Sequence, residues 1–392
     1  MDLVKKGKIK VFMKLIEIMH ATNHSFESIE NFDRMKLILF FLKFWAPVVL
    51  LQFIPIMGIF GYLYVATKEH LISEQLDSIT ILLLLCLVYS IMSIGLLRAD
   101  KFALCMERMS DYSFGKPPEW DKMCKHLDIL STVLYYGSKF LIIVYASLMY
   151  HGSPYCGGKT RRDKGYLCGS VFPQWYPIEM DNILINTILC LSPGISYFLT
   201  NPTFSLYPLV VYGSVRFMVM KIRHLRGMLE KITKKQNQDN LVEDLRTCMK
   251  YYSFIIELGC KVNNFLGYAL FPFYVLIPIV MALLAYEIIE TKKIVHIISL
   301  VVWMASALAT YLVGQYLETE ASLLDYTVYN LPWYEMEPPL RRNVLMFLAR
   351  TKKPLCLRVE STADMNNVLL LQIFKRFYSF LNFVIQMDRK NI

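Results

Sequence analysis

Charged side chains are scarce in this sequence: Asp, Glu, Lys and Arg make up 19% of its 392 residues, below the roughly 25% of soluble globular domains. Catalytic signatures are also missing, because the sequence has no phosphate-binding glycine loop, no nucleophile elbow and no HExxH zinc motif. It has no internal repeat. These gaps argue against a soluble enzyme and a repeat protein, and we expect no enzymatic activity, no cofactor and no metal site.

Long apolar segments are abundant instead. Hydrophobic residues account for 55% of the chain, and several runs exceed the ~18 residues typical of a membrane span. We therefore predict an all-α integral membrane fold with seven transmembrane helices, surrounded by lipid, in a single domain over residues 1–392. The predicted spans are 38–66, 76–97, 127–150, 180–220, 256–288, 294–318 and 365–387.

Lysine and arginine are distributed unevenly between the loops. The N-terminal segment and every second loop hold 28 of them, and the alternate set holds 9. Because cytoplasmic loops carry the excess of basic residues, this bias predicts a cytosolic N-terminus and an extracellular C-terminus. The bias also accounts for the net charge of +10, so we expect no nucleic-acid partner.

The segment between spans four and five keeps a helical pattern of apolar residues. Phe217, Ile222, Leu225 and Leu229 precede a turn at 236–240, after which the pattern resumes. This predicts a helical hairpin that projects into the cytosol, with its apolar stripe covered by the chain's own 318–365 region or by a neighbouring subunit. Residues 216–257 and 318–364 together form a predicted cytosolic helical anchor layer.

The last span carries a polar stripe. Gln372, Arg376, Ser379 and Gln386 follow one another at steps of four, three and seven, so they share one face of a helix, with Phe383 among them. Lipid cannot satisfy such a face. The pattern is compatible with a pore lining, with a helix buried inside a bundle, or with an amphipathic helix on the membrane surface.

Two further groups of residues point to the faces of the membrane. Cys156 and Cys168 share the second outer loop, which makes them candidates for a disulfide; the other seven cysteines lie in spans or face the cytosol. The segment with Tyr329, Trp333 and Tyr334 has too many aromatic side chains for an exposed loop. We expect them to belong to a packed intracellular layer where subunits meet.

Several C-terminal motifs, in order, carry a family resemblance. The stretches GQYLETEAS at 314–322, YNLPWY at 329–334, the pair Arg341-Arg342 and KRFYSF at 375–380 resemble the insect odorant receptor family. The closing Ser379-Phe380 and Gln386-Met387 are similar to a signature of the related gustatory receptors. The resemblance is close over about 75 residues, and elsewhere it depends on span number, orientation and the long fourth and fifth helices.

The resemblance implies a ligand-gated, nonselective cation channel of four subunits at the plasma membrane of sensory dendrites, with the seventh helices lining one pore. The compact turn at 236–240 is typical of a ligand-tuning subunit that assembles with the odorant receptor co-receptor, which has a long insertion there. The gate falls on Phe383 and a pore-facing glutamine on Gln386, flanked by Ser379 and Met387. Arg341 and Arg342 join the aromatic cluster at the expected subunit interface. The rival interpretations are a G-protein-coupled chemoreceptor, which has the opposite orientation, and a gustatory-type homomeric channel.

A volatile ligand is expected in the outer half of the bundle, between spans two, three, four and six. Such a pocket needs apolar walls and a few polar groups. The strongest single candidate is Tyr145, whose hydroxyl can orient a ligand oxygen while its ring packs. Arg376 on the pore stripe would repel a permeant cation, so we expect it at the wide cytosolic mouth or paired with a neighbour. The candidate ligand contacts are Thr80, Leu83, Ile142, Tyr145, Met149, Thr187, Leu191, Ile297, Leu300 and Met304.

Overall fold

Nine helices and one two-stranded sheet make up the regions that the structure, a computed structural model, describes. These regions are residues 46–68, 72–152, 165–167, 174–178, 183–234, 241–292, 294–360 and 362–391. The elements are α1 (Ala46–Lys68), α2 (Ile72–Leu97), α3 (Ala99–Met109), α4 (Trp120–Gly152), α5 (Ile183–Lys234), α6 (Leu241–Thr291), α7 (Ile294–Tyr329), α8 (Pro338–Thr351), β1 (Arg358–Val359), β2 (Ala363–Asp364) and α9 (Asn367–Asn391).

Seven of these helices correspond to the seven predicted spans. Among the described residues, α4, α6, α7 and α9 are long and apolar enough to cross a membrane, and shorter apolar stretches lie in α1, α2 and α5. The all-α prediction is therefore confirmed. The start of the first predicted span, 38–45, lies outside the described residues. The short helix α3 and the β1–β2 hairpin were not predicted.

The two longest helices form the hairpin expected between spans four and five. α5 has 52 residues and α6 has 51, so each is ~75 Å long, about twice the span length. α6 passes through Pro272 and Pro278 without a break. These helices extend well beyond the transmembrane bundle into the layer formed by residues 216–257 and 318–364, which we call the anchor layer.

The chain itself buries the apolar stripe of this hairpin. Phe217, Leu225 and Leu229 are fully buried, and they belong to one continuous core with Met106 of α3 and Trp120 at the start of α4. Burial of this stripe removes it as a surface for a neighbouring subunit. α3 covers it because it is itself amphipathic, with its apolar side chains turned toward the hairpin.

The segment before α9 is fixed to α6 by one asparagine. The Asn263 amide donates to the Cys356 carbonyl (3.0 Å), and its Oδ1 accepts from the Arg358 backbone N–H (3.0 Å). Arg358 also pairs with Asp364 across the β1–β2 hairpin (2.7 Å). The loop that leads into α9 is therefore held on the surface of the longest helix pair.

Three contacts fix the start of α9. The Asn366 side chain caps the helix, because its Oδ1 accepts from the backbone N–H groups of Val368 and Leu369, each at 3.1 Å. The Asn367 N–H donates to Gln315 of α7 (3.1 Å). Gly314 lets the chain approach closely, since a Cβ there would lie 2.3 Å from the Met365 carbonyl oxygen. The glycine in the 314–322 motif thus positions the last helix.

Candidate functional site

The polar stripe of α9 lies on its uncovered side. Phe383 is 58% exposed, whereas Leu369, Ile373 and Val384 on the neighbouring side of the helix are almost fully buried where α9 packs against α6 and α7. Burial on all sides within a single chain is therefore excluded, and the stripe needs water or another subunit as its neighbour. The exposed stripe and predicted gate residues are Gln372, Arg376, Ser379, Phe383, Gln386 and Met387.

Arg376 is held by its own chain. Its guanidinium lies 4.6 Å from the centre of the Tyr274 ring of α6, a distance suited to a cation–π contact. The ring draws the charge toward the edge of the stripe, which agrees with the expectation of a partner for this arginine.

A cleft of about 480 Å³ lies between α6 and α9 beside this arginine. Its lining is mainly apolar, with the cationic ends of Lys375 and Arg376 and the Ser379 hydroxyl as polar groups. The cleft reaches Phe383, so the predicted gate residue forms part of its wall. The lining consists of Val275, Pro278, Ile279, Lys375, Arg376, Ser379, Phe380 and Phe383.

The predicted ligand contacts occupy different environments. Thr80 is buried and donates to Glu287 Oε1 at 2.8 Å, and Ile142 is also buried. Half-buried positions are Leu83, Leu300 and Met304; exposed ones are Thr187, Leu191 and Ile297. The side chains of Tyr145 and Met149 lie outside the described residues, as do Cys156 and Cys168.

Two buried tyrosine hydroxyls add polar groups to the bundle interior. Tyr207 of α5 and Tyr311 of α7 have hydroxyl oxygens that are shielded from solvent and make no hydrogen bond within the described chain. An unpaired buried hydroxyl is destabilising. A ligand oxygen is one group that would satisfy them, and sequence reasoning missed both residues because tyrosine is common in apolar helices.

The aromatic cluster of the anchor layer is largely uncovered. Tyr329 and Tyr334 are 58% and 63% exposed, whereas Trp333 is half-buried against the core. Arg341 donates to the Tyr334 and Met336 carbonyls (3.1 and 3.2 Å); Arg342 is exposed. The expected packing of this cluster is not provided within one chain, so its apolar surface is open to a partner.

A sequence profile identifies the family. The profile described as 7tm Odorant receptor matches residues 119–378, which is more than half of the chain. This chain belongs to the odorant receptor family. The match spans α4 to the middle of α9, so it includes the anchor layer of the receptor and the first two stripe residues, Gln372 and Arg376.

Solved structures show that the receptor shares the fold of an insect olfactory receptor. The structure of the insect olfactory receptor OR5 from Machilis hrabei matches it with a TM-score of 0.74 at 12% identity, covering 99% of this chain and 100% of that one. The same OR5 in complex with eugenol gives 0.74 at 11% identity, covering 96% and 98%. The seven-helix membrane fold is therefore established for this receptor.

A buried carboxylate and a buried ammonium make polar contacts within the anchor layer. The Glu320 carboxylate of α7 binds Arg223 (2.5 Å) and Arg226 (3.3 Å) of α5. Lys221 of α5 is buried and donates to the Asp111 backbone carbonyl (2.6 Å). Burial lowers the pKa of the Lys221 ammonium to about 8, because a charged group is disfavoured away from water.

A second polar group lies at the opposite end of the bundle and was not predicted. Glu287 of α6 is buried with His296 of α7, whose Nδ1 lies 2.7 Å from Glu287 Oε2. The sequence offered a weak signal, since both residues interrupt the apolar ends of neighbouring spans. Their meeting depends on how α6 and α7 pack, which the sequence pattern does not specify.

Proposed function

We propose that this receptor is the odorant-binding subunit of a heteromeric, ligand-gated, nonselective cation channel. Membership of the odorant receptor family and the shared fold support the receptor class. The observation that carries the channel assignment is the exposed stripe of α9, which a single chain leaves without cover. Four such stripes around one axis would shield each other from lipid and enclose a water-filled path.

The proposed orientation puts the anchor layer in the cytosol and the C-terminus outside, at the plasma membrane of a sensory neuron. Lysine and arginine are concentrated in the anchor layer, as the positive-inside rule requires of cytosolic segments. In this orientation Phe383 lies in the outer part of the pore and Arg376 deeper inside. The Tyr274 contact then keeps the Arg376 charge away from the pore axis.

Phe383 is the proposed gate, flanked by Ser379, Gln386 and Met387. A ring of exposed phenylalanines narrows and dries a pore, and their displacement admits water and cations. The cleft beside Phe383 gives its ring a place to move into without unfolding α9. A ligand opens the gate only to the extent that it binds the open state more tightly.

The proposed ligand is a small, mostly apolar molecule that carries an oxygen function. The related OR5 has been solved in complex with eugenol, which supports a ligand of this size and polarity. The outer-half residues predicted from sequence remain the proposed contacts, with one refinement. Because the Thr80 hydroxyl already binds Glu287, Tyr145 is the stronger candidate for orienting the ligand.

The proposed partner is the odorant receptor co-receptor, joined through the anchor layer. The proposed contact surface consists of Tyr329, Trp333, Tyr334, Arg341 and Arg342. The two tyrosines and both arginines are exposed, and Arg341 binds the Tyr334 carbonyl. Aromatic and arginine side chains are enriched where protein surfaces bind one another.

Recording currents from cells that express the receptor with the co-receptor tests this proposal. We expect odorants from a chemical panel to evoke a cation current without added G-protein components, and we expect none from the receptor alone. Current from the receptor alone would indicate a homomeric channel. A response that requires G-protein components would contradict the channel assignment.

Substitution of the proposed gate gives a second test. Phe383→Ala removes the ring that narrows the pore, so we expect an increased resting current and an altered response to pore blockers. Tyr378→Ala is the matched control, because Tyr378 is an equally exposed aromatic residue of α9 that lies off the stripe. If both variants keep the wild-type resting current and block, Phe383 is not the gate.

A further inference from the structure

Three side chains with metal-binding groups meet at the end of the bundle away from the anchor layer. They are Asp77 near the start of α2, Glu287 near the end of α6 and His296 at the third position of α7. One ligand atom from each lies within 4.8 Å of the others. More than 200 residues separate Asp77 from Glu287, so packing alone brings this group together.

The group is built into the protein. Glu287 is 1% exposed and His296 is 5% exposed. The Glu287 Oε1 accepts from the Thr80 hydroxyl (2.8 Å), a contact that fixes the direction of the carboxylate before a ligand arrives. The Glu287 Oε2 lies 2.7 Å from His296 Nδ1 but makes no hydrogen bond within the described part of the chain, so this oxygen is available to a ligand.

The group offers the atoms that a cation needs. Two carboxylates supply negatively charged oxygen ligands, and a bound cation would offset part of their charge. The His296 ring also has a spare binding atom: Nε2 is shielded from solvent and has no hydrogen-bond partner in the described part of the chain. A buried, unpaired ring nitrogen is a ready metal ligand.

We propose that Asp77, Glu287 and His296 form a binding site for a divalent transition-metal ion of the Zn²⁺ class. One imidazole with two carboxylates suits this class, whereas Mg²⁺ and Ca²⁺ prefer oxygen ligands only. Three protein ligands leave a fourth position for water. Asp77 is only partly buried, so the ion can enter from its side.

The site adjoins the helix that carries the proposed gate. Leu76, next to Asp77, forms a small buried cluster with Leu283 and Tyr286 of α6 and with Val384 of α9. Val384 follows Phe383 directly. A metal that ties α2, α6 and α7 together therefore restrains the surface on which the outer part of α9 packs.

Binding of Zn²⁺ to the purified full-length receptor tests the site. A chelating fluorescent indicator competes with the protein for Zn²⁺, and the affinity is compared between the wild type, His296→Gln and Asp77→Asn. We expect each variant to bind at least ~10-fold more weakly, because each loses a ligand. His126→Gln is the matched control, since His126 is exposed on α4 outside the group, and we expect its affinity to be unchanged.

The outcomes separate the site from the channel function. Equal Zn²⁺ affinity in the wild type, His296→Gln and Asp77→Asn would overturn the proposal, as would an equal loss in His126→Gln. If His296→Gln does not fold, Asp77→Asn decides the question, because its side chain is only partly buried. The readout is binding by the receptor alone, so a failed current recording leaves it unaffected.

Discussion

Lys221 provides a quantitative test of the anchor layer. The side chain is 1% exposed. Its ammonium donates to the Asp111 carbonyl (2.6 Å) and lies 5.2 Å from the Phe254 ring and 5.8 Å from the Trp120 ring. Burial lowers the pKa of the ammonium from 10.5 to about 8, against a smaller opposing effect of Asp111. The folded receptor therefore releases this proton at lower pH than the unfolded chain does.

The direction of the pH effect follows from the two pKa values. Between pH 8 and 10.5 the unfolded chain holds the proton that the folded receptor has released, so stability rises with pH in this window. Below pH 8 both states are protonated and the full cost of burying the charge remains, about 3 kcal/mol for a shift of this size. Between pH 7 and pH 10 the folded state recovers most of it, about 2–3 kcal/mol.

Lys221→Met removes this titration. We expect the stability of the wild type relative to the variant to increase by about 2–3 kcal/mol from pH 7 to pH 10, measured by thermal unfolding of purified receptor in detergent. The lost hydrogen bond to Asp111 adds a pH-independent offset of about 1 kcal/mol. Lys250→Met is the control, because Lys250 is exposed on α6 and its loss should leave the pH profile parallel to the wild type. Parallel profiles for Lys221→Met would refute the reasoning.

Three further substitutions test other contacts through thermal unfolding. Glu320→Ala leaves two arginines without their carboxylate and should destabilise by about 1–3 kcal/mol. Glu257→Gln breaks an exposed pair with Lys261 and should have no measurable effect. Equal effects of the two substitutions would show that the buried Glu320 carboxylate does not stabilise the anchor layer. Gly314→Ala places a Cβ against a carbonyl and should destabilise by about 1–3 kcal/mol. In Gly137→Ala the added Cβ has no atom within 4 Å, so this control should stabilise the receptor by about 0.5–1 kcal/mol. If Gly314→Ala and Gly137→Ala change the stability in the same direction, the close approach at Gly314 is refuted. Asn366→Ala removes the α9 cap and should destabilise by about 1 kcal/mol; an unchanged midpoint would show that the cap is dispensable.

Periodic features of the structure were predictable from the sequence. The helical pattern around Leu225 and Leu229 predicted the hairpin, because a regular apolar stripe must be buried. The polar steps from Gln372 to Gln386 identified the uncovered side of α9 for a similar reason. Both depend on spacing within one helix, which the sequence records directly.

Contacts between distant segments were not predictable in this way. Nothing in the sequence near Glu287 indicates Thr80 or His296 as neighbours, because their approach depends on helix tilt and rotation. The ligand contacts share this difficulty, since a pocket needs side chains from several helices in defined rotamers. The exposure of Tyr329 and Tyr334 differs from the expected packing because no described segment of the chain covers them.

Helix α9 is fixed at one end, so a small rotation of the helix moves its other end by a larger distance. Its first turn is held by contacts with Asn366 and Gln315 and by the close approach of Met365 to Gly314. Phe383 lies about 17 residues after Asn366, at a distance of ~25 Å along the helix. A swing of only ~5° about the fastened end would carry its ring ~2 Å sideways. Small rearrangements between helices can thus become a displacement of ~2 Å at the proposed gate, with every hydrogen bond of α9 intact.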